Sequence, residues 1–317
     1  MKKTIKKRAF VSAIAMLMVS AIVLTSSTFA WFSMSKEASV ESMDLTVSSP
    51  EGIQISANAS AWTASLTVDQ IFDNDDATTS RYDAYEGNNN LYPADLIPVS
   101  SNFAKASSTG YANFFKATLD DSAMAKITAV TQSKASQDAA GLIAFDLFFK
   151  VASATPVYFS GSTFTDNSGS KVLSALRVAF TPLGTVAIGT DAATATALNS
   201  FTAGTNNVIY EVDSLKRSDD AAAAGIAAGA VETKGLVSTN NGNAVTTSNG
   251  IITNTAVVGA MQGTQLTDQS ATTSKVFNLK AGITKVRVYI WIEGNDVDCL
   301  NSVAGAALTA NLKFTID

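Results

Sequence analysis

Three segments of this chain alternate strictly between apolar and other side chains. Such alternation belongs to a strand and not to a helix, because successive side chains of an extended backbone point to opposite faces. In residues 285–293, Val286, Val288, Ile290 and Ile292 share one face, and Arg287, Tyr289, Trp291 and Glu293 share the other. In residues 308–317, Leu308, Ala310, Leu312, Phe314 and Ile316 oppose Thr309, Asn311, Lys313, Thr315 and Asp317. In residues 143–151, Ile143, Phe145, Leu147, Phe149 and Val151 oppose Ala144, Asp146, Phe148 and Lys150. Half-buried antiparallel strands are expected at all three. Shorter candidates are 157–159, 176–180, 208–212 and 276–279, with a first strand around Met43–Val47 and another at 52–56 across a turn at 48–52. Short strands with irregular spacers predict an all-β fold, an antiparallel β-sandwich of jelly-roll kind, and not a βαβ sheet. No regular internal repeat interrupts the pattern.

Two stretches read as insertions into this single domain of residues 31–317, at about 57–135 and 214–275. The first carries turns at 73–79 and 86–90 and a short helix near 120–126. In the second, Ser218, Asp219 and Asp220 precede an alanine run, which predicts an N-capped helix to about residue 231. Gly225 and Gly229 each weaken that helix by about 1 kcal/mol relative to alanine. Residues 238–247, nearly all Ser, Thr, Asn and Gly, read as a surface loop.

The chain begins as an export signal would. Lys2, Lys3, Lys6, Lys7 and Arg8 precede an uncharged apolar run from residue 9 to residue 30, which ends in Thr28, Phe29 and Ala30. Basic start, apolar middle and small residues at the cut compose a secretory signal peptide over residues 1–30, with cleavage between Ala30 and Trp31. The run has the length of a membrane anchor, but its polar end (Thr25, Ser26, Ser27, Thr28) favours cleavage. A pilin-type cut before Phe10 lacks the acidic fifth residue common in such pilins, which here is Ile14.

Removing residues 1–30 leaves 22 − 5 = 17 basic against 27 acidic residues, a net charge of −10. An acidic surface disfavours nucleic acid and anionic membranes as partners. It suits a protein that is secreted and, once cleaved, has no membrane attachment.

The residues that are missing narrow the chemistry. With one cysteine, Cys299, no intrachain disulfide forms, and an exported chain must rely on its core or on assembly. Cys299 reads as a small buried filler. With no histidine, the Ser-His-Asp and Cys-His arrangements, His-Glu-x-x-His zinc sites and histidine pH switches are all excluded. No Gly-rich phosphate loop and no marked carboxylate pair points to catalysis, so no catalytic residue is assigned. Two acidic clusters have the residue types of a calcium site. Residues 73–76 hold three aspartates, but Thr78 stands where an EF-hand needs glycine. At the end of the 285–293 strand, Glu293, Asp296 and Asp298 form the better candidate for calcium, although a tight turn is the more frequent explanation of such a cluster.

The junction Thr28-Phe29-Ala30-Trp31-Phe32 followed by Val40-Glu41-Ser42-Met43-Asp44-Leu45-Thr46-Val47 resembles the start of the TasA/camelysin group, exported proteins with a SipW-type signal peptide. The C-terminal Tyr289-Ile290-Trp291-Ile292-Glu293-Gly294 with Asp296, Asp298 and Cys299 is similar to other proteins carrying this signal. The resemblance implies a jelly-roll sandwich that assembles into biofilm-matrix fibres, in which the freed N-terminal segment of one subunit completes the sheet of the next. The proteolytic activity described for the camelysin branch is not carried over to a chain without histidine.

Main-chain pairing into a neighbour's sheet is a recognised mode of binding, with alternate side chains filling pockets. Val40, Met43, Leu45 and Val47 are the candidate pocket-fillers, and Trp31 with Phe32 the apolar anchor. Met43–Val47 can equally be the first strand of its own sandwich, in which case only residues 31–39 are donated. The expected function is an exported structural subunit that self-associates into head-to-tail filaments of the extracellular matrix or cell surface, after signal peptidase has acted. The alternatives are a monomeric surface adhesin or pilin-like binding module and, from a different class, a secreted hydrolase using carboxylates or calcium.

Overall fold

The longest alternating runs become the longest strands. The computed structural model describes residues 42–48, 52–72, 96–105, 111–119, 125–130, 141–166, 172–201, 206–213, 233–239, 245, 247–248, 251–266, 274–299 and 307–316. In chain order the strands are β1 Ser42–Ser48, β2 Gln54–Ser56, β3 Ser65–Thr67, β4 Phe115–Leu119, β5 Ala125–Ala129, β6 Leu142–Val151, β7 Thr155–Tyr158, β8 Thr163–Asp166, β9 Leu176–Val186, β10 Val208–Glu211, β11 Lys234–Leu236, β12 Thr247–Ser248, β13 Ile251–Ile252, β14 Val258–Ala260, β15 Thr264–Leu266, β16 Lys275–Leu279, β17 Gly282–Ile292 and β18 Ala307–Lys313. Helices among the described residues are single turns, Val68–Phe72, Val172–Ala175 and Ala192–Thr196. Asp191 caps the last, its carboxylate accepting from Thr194 N–H at 2.8 Å. The fold is mostly β, as expected.

Two sheets carry the architecture. The larger has the order β15-β10-β9-β17-β6-β2, and the smaller β3-β1-β18-β8. β17 lies antiparallel between β9 and β6, in register with both over nearly its whole length. One face of this sheet presents Val286, Val288, Ile290 and Ile292 beside Phe145, Leu147 and Phe149 of β6 and Val178 and Phe180 of β9. These residues share one hydrophobic cluster with Leu45 and Val47 of β1 and Leu308, Ala310 and Leu312 of β18. Phe314 joins the sheets, with its ring centroid 5.1 Å from Phe149 and 5.6 Å from Phe180 in edge-on arrangements. Each fully buried phenylalanine contributes roughly 1.5–3 kcal/mol relative to exposure.

The structure departs from the sequence expectations in three places. First, β6 and β17 are not half-buried: every residue of β17 is buried, and only Lys150 in β6 is partly exposed. The second face of the large sheet is covered by Val99, Phe103, Tyr111, Phe114 and Val130, which pack on Leu142, Ala144, Ala179, Tyr289 and Trp291. A stretch that reads as an insertion thus supplies a second core. A sequence pattern of period two shows which residues share a face, but not whether another segment covers that face.

Second, β18 is not held in a purely antiparallel sheet. It runs parallel to β1 and antiparallel to β8. Side-chain alternation is the same in both kinds of ladder, so only the topology distinguishes them. Third, the helix expected near 120–126 is absent over its described part. Ala125–Ala129 is strand β5, paired antiparallel with β4, with Ala117 and Ile127 in the main core. The alanine-rich segment from Ser218 to residue 231 and the acidic run at 73–76 lie outside the described residues.

Candidate functional site

Of the N-terminal candidates, Ala30, Trp31, Phe32 and Val40 lie outside the described residues. Met43, Leu45 and Val47 belong to β1, in register with Leu308, Ala310 and Leu312 of β18. On its other side β1 pairs with β3 only from Thr46 to Ser48. Leu45 and Val47 are buried in the main core. In this chain, then, β1 pairs within its own sheet.

The strand-end acidic residues come together, around an arginine that sequence reading passed over. β17 ends by passing Val99: Val99 N–H donates to Ile292 O at 3.0 Å, and Gly294 N–H donates to Val99 O at 2.8 Å. This places Glu293 at the junction of sheet and cover. Its carboxylate accepts from Trp291 Nε1 at 3.0 Å, Asn295 N at 3.0 Å and Ser101 N at 3.4 Å. Burial pushes its pKa up to about 7, against the pull of Ser100, Trp291, Arg177 and Asn295. Asp296 Oδ2 is ion-paired with Arg177 Nη2, and its Oδ1 accepts from Asp298 N at 2.8 Å. Arg177 also faces Glu211 Oε2 at 3.4 Å and donates to the carbonyls of Ser174 and Leu176. Asp298 is buried in the same loop.

These contacts spend the lone pairs of Glu293 and Asp296 on internal donors. Among the described residues no group of three His, Cys, Asp or Glu side chains is placed to hold a metal ion. The arrangement ties three elements together through one guanidinium: β9 through Arg177, β10 through Glu211 and the 293–299 loop through Asp296. Cys299 lies buried in that loop, and burial, then Asp296 and Glu293, push its thiol pKa well up. A thiol so placed is a poor nucleophile.

A second charged group occupies the same face of the sheet. Arg287 Nε and Nη2 donate to Asp146 Oδ1 and Oδ2 at 2.7 and 2.9 Å, a bidentate pair between neighbouring strands. Lys285 Nζ stands 3.0 Å from Asp146 Oδ2 and donates to Thr196 O at 2.7 Å. The guanidinium is capped by the Tyr111 ring at 3.9 Å. Tyr289 Oη accepts from Ala112 N–H at 3.2 Å, and burial raises its pKa to about 12. The sequence signal for both groups is a lone charge inside a run of apolar residues, Asp146 in Ile-Ala-Phe-Asp-Leu-Phe and Arg177 in Leu-Arg-Val-Ala-Phe. Such a charge must meet a partner if the strand is buried on both faces. Compared with known proteins, the chain matches no family model, no curated protein and no solved structure.

Proposed function

We propose that this protein is an exported structural subunit of extracellular or cell-surface fibres, a jelly-roll-like β-sandwich whose N-terminal segment, freed by cleavage after Ala30, joins it head to tail to its neighbour. The observation that carries this reading is the seat of β1. The first described strand runs parallel to the last, β18, and the smaller sheet pairs it on its second side only from Thr46 onward. Among the described residues, no strand pairs that side of β1 from Ser42 to Leu45. A strand from a neighbouring copy, adding its main-chain hydrogen bonds there, extends the sheet. Contacts that run from one end of a subunit to the other end of the next propagate as filaments where their rotation does not close a ring.

The start of the chain, with its resemblance to the TasA/camelysin group, supports the same reading. So does the lack of histidine, which leaves little catalytic chemistry behind the signal. In this reading the partners are further copies of the chain and, during export, a signal peptidase; no cofactor takes part. Electron microscopy of the secreted protein should show filaments. Deleting residues 31–39 should abolish them while the circular-dichroism spectrum stays that of the full mature chain. Secreted protein that stays monomeric under all assembly conditions overturns the reading and leaves the adhesin alternative, which binding of glycans or host proteins by the monomer would support.

A further inference from the structure

At one end of the large sheet the turns expose apolar side chains. β6, β17 and β9 stop there together: Val151 pairs with Gly282, and Ile283 with Val186. The turns beyond these positions hold residues 152–154, 280–281 and 187–190, so they are neighbours at the spacing of adjacent strands. Ala152, Ala154, Ala187, Ile188 and Ala281 are all exposed. Ile188 is 55 % exposed, and no other large hydrophobic side chain among the described residues is exposed. It is also fixed in place. Thr190 N–H donates to Ala187 O at 3.2 Å, and Gly189 has a φ of +92°. That is the arrangement of a type II turn, with Ile188 at its second position. Turn tips favour Gly, Pro, Asn, Asp and Ser. A large apolar side chain held at one breaks that rule, as functional sites do.

We propose that this end docks a second copy of the chain, with Ile188 seated against Val40 at the root of that copy's N-terminal segment. This rests on the fibre reading above and names the surface that receives the next subunit. The direction of β1 selects the occupant. β1 starts at Ser42, beside Ala307, and runs parallel to β18. β18 leads into Phe314, whose ring lies 5.1 Å from that of Phe149, near the end of β6. Both strands therefore run towards the apolar turns, and Ser42, the first described residue, lies at the opposite end. A contact between opposite ends of two copies is heterologous, as a head-to-tail filament requires. Charge agrees. Lys280 is the only charged residue in the three turns, in a chain with 27 acidic against 22 basic residues. Two acidic copies repel each other least where acid is missing. Docked in this way, one copy has its residues 31–39 free to extend over the other.

Two variants of the secreted mature chain test the contact, Ile188→Cys and Ser39→Cys. Cys299 is buried, so a short bis-maleimide cross-linker meets only the introduced thiols. Mixed in equal amounts, the two variants should give at least tenfold more cross-linked dimer than either alone. No excess over the separate variants overturns the proposal. So does an equal yield from Ile188→Cys alone, which would show the end meeting itself. Ile188→Asp adds the readout of assembly. Its side chain is exposed, so its circular-dichroism spectrum and melting temperature should match those of the unaltered protein. The critical concentration for filament growth should rise tenfold or more. An unchanged critical concentration overturns the proposal and leaves the fibre reading standing. Unaltered protein that forms no filaments overturns the fibre reading, and the mixed cross-link then still decides whether the two ends meet.

Discussion

Asp146 and Arg287 face each other directly in the β6–β17 register, and both nitrogen–oxygen contacts of the bidentate pair are made inside the protein, at 2.7 and 2.9 Å. An ion pair in that position does not stabilise the fold merely by existing, because both charges were taken out of water. Its importance appears when one partner is removed. Asp146→Ala leaves Arg287 and Lys285 buried beside no carboxylate from β6 and should cost about 3–5 kcal/mol. Replacing Asp146, Lys285 and Arg287 together by leucine and methionine should cost far less. Urea denaturation of the two variants, compared at matched m-values, checks the contrast.

Glu293 should make stability fall as pH rises through the weakly acidic range. Its folded pKa of about 7 lies above the unfolded carboxylate value of 4.5. Between those values the folded protein holds a proton that the unfolded chain has released, so the slope of unfolding free energy with pH is negative. The contribution is fully present below the unfolded value and lost by about pH 7, at roughly 1.4 kcal/mol per pH unit. Glu293→Gln, which cannot titrate, should flatten this part of the pH–stability curve. A curve of unchanged slope in the variant would assign the dependence to other groups.

Gly235 is held by contact and Gly189 by conformation, and the two should respond differently to alanine. A Cβ at Gly235 would lie 1.9 Å from Ser101 O, where Asn102 N–H donates to Leu236 O at 2.9 Å. Backbone meets backbone there, so Gly235→Ala should cost at least 1–3 kcal/mol, the range for overpacking, and loosen the cover from β11. A Cβ at Gly189 meets nothing within 4 Å, but its φ is +92°. Gly189→Ala should cost only about 1–2 kcal/mol of backbone strain. Melting temperatures of the pair test the distinction, and hydrogen exchange at Asn102 reports the loosening.

Cys299 should behave as a probe of unfolding. Its thiol is buried and its pKa is pushed well up. A thiol reagent at pH 8 should label the native protein no faster than the chain opens, and labelling should become immediate in denaturant. Rapid labelling of the native state would mean that the 293–299 loop opens locally.

The strands were legible in the sequence wherever alternation was long. Residues 143–151, 285–292 and 308–313 could be read residue by residue, because a period of two survives any choice of neighbour. β8 and the single-turn helices were not legible. Four residues such as Thr163–Asp166 offer too little periodicity to separate from a loop. The acidic side chains at 293, 296 and 298 were legible as a cluster, but not as the surroundings of Arg177, which comes from a strand more than a hundred positions earlier in the chain.

By itself the sequence determined the β character of the fold, which side chains share a face, and the absence of histidine and of an intrachain disulfide. These are local or compositional properties, written in neighbouring residues or in their absence. Only the tertiary structure decided that β1 runs parallel to β18 and that Phe103, Phe114 and Tyr111 close over the second face of β17. It alone turned Arg287, Tyr289 and Trp291 from an apparent outer face into an interior one. Strand pairing and burial of a second face are made by contacts between residues far apart in the chain, and no local pattern encodes which distant segment arrives to make them.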